Sequence, residues 1–193
     1  MSQRVDAGEA RPGADAPRRD VVLTAALETF VRYGYRKTAM DDIARAARIS
    51  RPGLYFLFAS KRELFAAAIT RALEQDLRSA AYALENTAHP LDERLLEAFD
   101  IWTGRYLGAV GGELSAVAYA HRDVLGTLAL DSSHRFQALL TDAIVNTRAP
   151  QDRATSEAIA STVISTAVGL KHQTDSRQRF REDLSTAIAL LLR

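Results

Sequence analysis

Apolar residues recur along this chain with the period of a helix. Val22, Ala26 and Phe30 fall at i, i+4 and i+8, with Leu23, Leu27 and Val31 beside them. That spacing predicts a helix over about 18–33 with one broad apolar face, closed by Gly34 as its C-terminal cap. A short helix over about 39–47 follows, with Met40, Ile43, Ala44 and Ala47 turned inward. Thr38, with Asp41 three residues later, resembles a capping box in which Asp replaces the usual Glu. Ser50 is read as the cap of a third helix that starts at Arg51, tolerates Pro52 in its first turn and ends near Phe58. Ser60 caps a fourth, over about 61–83.

The rest of the chain keeps this character. Further helices are expected over about 90–106 (closed by Gly111-Gly112), 113–122, 132–148 (stopped by Pro150), 152–172 and from about 176 to the end. No stretch alternates convincingly with period two, and Ala, Leu, Arg and Glu dominate. The predicted fold class is therefore all-α. Residues 1–17, rich in Gly, Pro, Ala and charge, read as a disordered arm. The organisation expected after it is a three-helix domain over 18–77 and a second helical domain over 78–193.

Charge changes the picture. The formal net charge is only +1, yet residues 18–62 carry ten Lys/Arg against four acids, while the segments on either side are net acidic. A polyanion would be drawn to the first domain, although a solvated basic surface has the same composition. Arg18 and Arg19, where the arm meets the first helix, are expected to be a solvated pair, within reach of a DNA minor groove or phosphates. The chain has no Cys, which excludes disulfides and Cys-based metal sites. No apolar run approaches a membrane span and the start has no secretory core, so a cytoplasmic protein is expected.

The chemistry-bearing segment is TAMDDIARAARISRPGLYFLFASKRELF, residues 38–65. Two short helices joined by about three residues around Arg48 have the spacing of a helix-turn-helix, whose second helix enters the major groove. Ile43, Ala44, Ile49, Leu54 and Phe58 can pack beneath that helix. Ser50, Arg51, Pro52 and Gly53 then form its outward-facing first turn. Arg51 can donate two hydrogen bonds to guanine. Tyr55, four residues on and on the same face, can reach a phosphate. Lys61 is expected to aim a mobile ammonium at the DNA backbone, and Thr38 to offer its hydroxyl. Phe58 is expected in the core, and Phe56 partly exposed.

Residues about 17–77 resemble the DNA-binding domain of the TetR family of transcriptional regulators. The resemblance rests on ALETFVRYG (26–34), Thr38, Ile43-Ala44, Ile49-Ser50, Leu54-Tyr55, Phe58, Ser60-Lys61 and Leu64-Phe65. It implies operator contacts from the positions of Thr38, Arg51, Pro52, Gly53, Tyr55 and Lys61. Two positions vary within that pattern: Pro52 stands where Gly is frequent, and Gly53 where Thr or another polar residue is frequent, which removes one base-reading side chain.

The resemblance further implies that residues 78–193 bind a small-molecule effector and dimerise. Ala158, Ile159, Thr162, Val163, Thr166, Ala167 and Leu170 form one apolar stripe, and Phe180, Leu184, Ile188 and Leu191 another. Ala158, Ser161, Ser165 and Gly169 would permit a close crossing with a second copy, although both stripes suit the monomer's own core equally well. Candidate pocket residues are Phe99, Trp102, Tyr106, Tyr119, His121, Phe136 and His172, with Trp102 and Tyr106 on one helix face. The function these expectations converge on is a ligand-released repressor that binds double-stranded DNA as a homodimer on a palindromic operator. The four histidines (His89, His121, His134, His172) form no HExxH spacing, and no Walker loop or GxSxG occurs. An enzyme, a metal site and a cofactor are therefore not expected.

Overall fold

The computed structural model describes residues 15–104, 107, 122–147 and 152–193, and among them every regular element is a helix. These are α1 (Asp15–Tyr33), α2 (Met40–Ala46), α3 (Arg51–Leu57), α4 (Lys61–Glu85), α5 (Leu91–Trp102), α6 (Arg122–Thr147), α7 (Arg153–Lys171) and α8 (Arg177–Leu191). The chain divides into two compact units, residues 1–68 and 69–193. The boundary expected near 77 thus lies inside α4, about two turns earlier.

In the first unit, α1 packs on α2 and α2 on α3. Val22, Ala26, Phe30, Ile43, Leu54, Phe58, Leu64 and Phe65 are buried at its centre. Phe30, Tyr35 and Phe65 form a ring cluster with centroids 5.0–5.5 Å apart. α1 starts at Asp15, three residues earlier than expected, so the end of the predicted arm is helical. It stops where Gly34 takes φ 78°, and the Gly34 N–H bonds the Phe30 carbonyl at 2.9 Å. A glycine takes that left-handed conformation without steric cost.

The second unit is built around Leu77, Leu84, Leu95, Phe99, Phe136, Leu140, Ile144, Val163, Phe180, Leu184 and Ile188, all buried in one cluster. α7 packs on both α6 and α8, and α5 packs on α8. Asp152 and Ser176 cap α7 and α8 by accepting from the N–H groups of Thr155 and Arg179. Buried Arg94 donates to the Leu84 carbonyl at 2.6 Å and to Thr147 Oγ1 at 2.7 Å, tying the last turns of α4 and α6 to α5.

Two further helix boundaries differ from expectation. α5 ends at Trp102 rather than near 106. Thr103 leaves the helical conformation, and the carboxylate of Asp100 occupies the space a Cβ on Gly104 would need. α6 begins at Arg122 rather than near 132. The run Asp131-Ser132-Ser133 at the expected start lies inside the helix, with Ser132 buried. The helix expected over 113–122 lies outside the described residues, except at Arg122.

Candidate nucleic-acid interface

The turn between α2 and α3 fixes their angle with backbone hydrogen bonds. Arg48 N–H bonds the Arg45 carbonyl at 3.2 Å, and Ile49 N–H reaches back to the Ala44 carbonyl at 3.0 Å. Arg48 itself has φ 54°. This is a Schellman closure with a non-glycine residue in the left-handed position. Ser50 then caps α3, its Oγ accepting from Gly53 N–H at 3.2 Å.

Of α3's residues, Leu54 alone is fully buried, beside the buried C-cap Phe58. Arg51, Pro52, Tyr55 and Phe56 face outward. Phe56 is 76% exposed and Tyr55 42%. The Arg51 guanidinium lies 5.7 Å from the Tyr55 ring centroid, as i, i+4 neighbours on one face should. The structure thus brings Ser50, Arg51, Pro52, Gly53 and Tyr55 together in one short helix and its cap.

Arg51 has a partner that sequence reasoning missed. Its Nε and one Nη lie 3.1 and 3.2 Å from the two carboxylate oxygens of Asp41. This side-on pairing leaves the guanidinium's remaining N–H groups available for a further acceptor. Ten residues and a turn separate the two in sequence, so no local spacing announces the pair.

Two expected contacts take different roles. Thr38 is 2% exposed, and its hydroxyl donates to the Gly34 carbonyl at 2.8 Å. It braces the loop after α1 and offers nothing outward, so it leaves the set of candidate contacts. It does not cap α2 either. Ala39 occupies the cap position, and the Asp42 carboxylate, not Asp41, accepts the Ala39 N–H at 2.9 Å. Lys61 is not mobile. Its ammonium donates to the carbonyls of Tyr35 and Thr38, both at 3.0 Å, and sits 4.5 Å from the Tyr35 ring centroid. One of its three N–H donors remains for a phosphate. Burial pushes the Tyr35 hydroxyl above its ordinary pKa, against the lowering charge of Arg62.

Arg19 is also anchored, contrary to the expected solvated pair. Its Nη1 donates to the Leu57 carbonyl at 2.9 Å, and its guanidinium lies 4.1 Å from the Phe58 ring centroid.

In the second unit four of the seven expected pocket residues, Phe99, Trp102, Phe136 and His172, are described. Phe99 and Phe136 are buried and meet edge to face at 5.2 Å, and Trp102 stacks on Phe136 at 4.8 Å. They fill the core. His172 is exposed and forms the C-cap of α7. Tyr106, Tyr119 and His121 lie outside the described residues. Clefts of about 380 and 490 Å³ open elsewhere, the first beside His89, Glu93, Arg94 and Arg181, the second beside Gln75, Tyr82 and Ile101.

The first unit has the geometry of a helix-turn-helix domain with its second helix held outward. Residues 22–68 match the family model described as bacterial regulatory proteins, tetR family. The HTH-type transcriptional activator FasR of Mycolicibacterium smegmatis is 40% identical over 84 residues, 42% of this chain and 38% of that protein. The HTH-type transcriptional repressor BepR of Brucella suis is 29% identical over 91 residues, 45% of this chain and 44% of that one. The chain thus spans less than half the length of these two relatives. A TetR-family transcriptional regulator from Mesorhizobium loti shares the fold at TM-score 0.74 and 17% identity, over 95% of this chain and 98% of that one.

Proposed function

We propose that this protein is a transcription regulator that binds double-stranded DNA through α3 and the turn before it. One observation carries the reading. α3 presents a guanidinium and two aromatic rings to the outside while burying almost nothing of its own. Exposed Phe56 and Tyr55 contribute little to the monomer's stability, whereas apolar contact with a thymine methyl and a phenol hydroxyl on a phosphate suit the major groove. The relatives named as an activator and a repressor support transcription control as the setting, and the proposal places it in the cytoplasm. The described helices include none long and apolar enough to cross a membrane.

In this reading the protein acts as a homodimer on a palindromic operator. The support comes from α7. Val163 and Ala167, assigned above to an apolar stripe, are buried in the monomer's own core, as are Phe180, Leu184 and Ile188 of α8. The small residues are not. Ala158, Ser161, Ser165 and Val168 are exposed, and a Cβ on Gly169 would meet nothing within 4 Å. A helix-interior glycine costs about 1 kcal/mol relative to alanine, and the described packing gives no reason for it. Close approach of a second copy does. Release of repression by a small-molecule effector completes the proposal, with the clefts of the second unit in the size range of such sites.

Selection of bound fragments from a random duplex pool tests this directly. A recovered inverted repeat is expected. Arg51→Ala and Tyr55→Phe should then weaken binding by roughly 5- to 100-fold and by a few-fold, respectively, with unchanged thermal unfolding. Full-strength binding by both variants would reject this docking.

A further inference from the structure

We propose that Arg18 is a second cationic contact to DNA, seated by the missing side chain of Gly53, and that it takes a phosphate on the groove wall opposite Arg51 and Tyr55. The proposal rests on the DNA-binding reading above. At about 100° per residue, α3 has three outward sectors. Arg51 and Tyr55 lie on one flank, Pro52 and Phe56 form the crest, and Gly53 and Leu57 lie on the other flank. The first turn of α1 stands against that last flank.

Arg19 fixes the register there through the Leu57 carbonyl and the Phe58 ring. Its neighbour Arg18 is thereby brought to Gly53. A Cβ built on Gly53 would lie 3.2 Å from Nη2 of Arg18 and 3.1 Å from Ser50 Oγ. Both are tighter than ordinary contact, so a side chain at 53 would push the guanidinium aside. The glycine that lacks a base-reading group therefore makes room for a charged one from another helix.

The charge pattern points to what Arg18 binds. Arg51 is paired with Asp41, Arg19 is spent on a carbonyl and a ring, and Lys61 on two carbonyls. Arg18 is exposed and, among the described residues, has no carboxylate or carbonyl partner. Its five N–H donors are carried on an anchored helix turn, next to a face that projects three other outward groups toward the same solvent. A major groove about 12 Å wide has a phosphate wall on each side. With α3 in the groove, the Tyr55 hydroxyl on one flank and the Arg18 cation on the other meet the two walls, and a guanidinium is well matched to phosphate oxygens.

The test uses the full chain and the duplex selected with it. Affinity is measured from 50 to 200 mM salt, on that duplex and on its single-base variants, for Arg18→Ala, Arg18→Lys, Gly53→Ala and the combination of Arg18→Ala with Gly53→Ala. Arg18→Ala is expected to weaken binding about tenfold, equally on all duplexes, and to reduce the salt slope by about one. Arg18→Lys should keep the slope. Gly53→Ala should weaken binding less, and its effect should vanish in the Arg18→Ala background. Thermal unfolding of Arg18→Ala should match the parent. An unchanged slope, a loss confined to one base position, or a Gly53→Ala effect that persists in full without Arg18 would overturn the assignment. Failure of the parent protein itself to bind any duplex would overturn the DNA reading and this proposal with it.

Discussion

Phe56 makes the sharpest statement at the scale of a single residue. A phenylalanine that leaves 76% of its surface in water forgoes the roughly 1.5–3 kcal/mol that burial would return. Its neighbours Leu54 and Phe58 are fully buried, so the register of α3 is fixed from beneath and Phe56 is held out by it. Phe56→Ala is therefore expected to leave thermal unfolding within about 0.5 kcal/mol of the parent while weakening operator binding several-fold. A fall in stability of 3 kcal/mol or more, the cost of truncating a core aromatic, would show that the ring is packed in solution and not presented. Arg51 belongs to the same scale. Its charge is oriented by Asp41, so in the proposed docking the guanidinium would meet a base edge already aimed instead of freely rotating.

Helices are the scale at which the sequence was most readable, and the reasons can be named. α3 could be placed to within a residue because Ser50, Pro52 and the spacing of Leu54 and Phe58 are all local signals. α6 could not. The start expected near Ser132 lies inside the helix, which runs back to Arg122; the cap preference of Asp and Ser, worth about 1 kcal/mol, does not break it there. Thr38, Lys61 and Arg19 make contacts that the sequence did not reveal, for one shared reason. Each side chain is spent on a backbone carbonyl, and for Lys61 and Arg19 that carbonyl is more than twenty residues away in sequence. No spacing rule reveals such a partner.

The tie between α5 and α8 was equally hidden, and it has a testable pH signature. Asp100 is 3% exposed and receives Arg177 Nε and Nη2 at 2.8 and 2.7 Å and Arg181 Nη1 at 2.6 Å. Burial pushes its carboxyl up, but the Arg177 hydrogen bonds and the charges of Arg181 and Arg177 outweigh it, and the net shift is below the ordinary value of 3.8. A lowered carboxyl pKa stabilises the folded state fully above the unfolded value. That contribution is lost as pH falls through the lower folded value. Asp100→Asn should thus cost on the order of 2 kcal/mol at pH 7 and lose less additional stability than the parent between about pH 5 and pH 2. Chemical denaturation at both pH values reads this, and parallel pH curves for the two proteins would refute it.

Across the whole molecule, the pattern of what is buried argues for a second copy. The apolar stripes that could have served either a dimer or a monomer core are spent on the core in α8 and half spent in α7. What α7 leaves outside is a file of small residues with Val168, 52% exposed, among them. This face lacks the large hydrophobics that would fold it inward, and its backbone is accessible at Gly169. In the proposed dimer such a surface would bind by close helix approach, so a single charge there should be disproportionately disruptive. Val168→Glu changes an exposed position and should leave monomer stability within about 0.5 kcal/mol. In a dimer it would place two carboxylates near the two-fold axis, buried and like-charged. Light scattering after size exclusion should then show the parent at twice the chain mass of 21.2 kDa and the variant at that mass. Binding to a full inverted repeat should weaken much more than binding to a half-site, because only the dimer links two reading helices on one duplex. A variant that stays dimeric would move the interface off α7, and a parent that is monomeric at micromolar concentration, on and off DNA, would remove the dimer from the proposal.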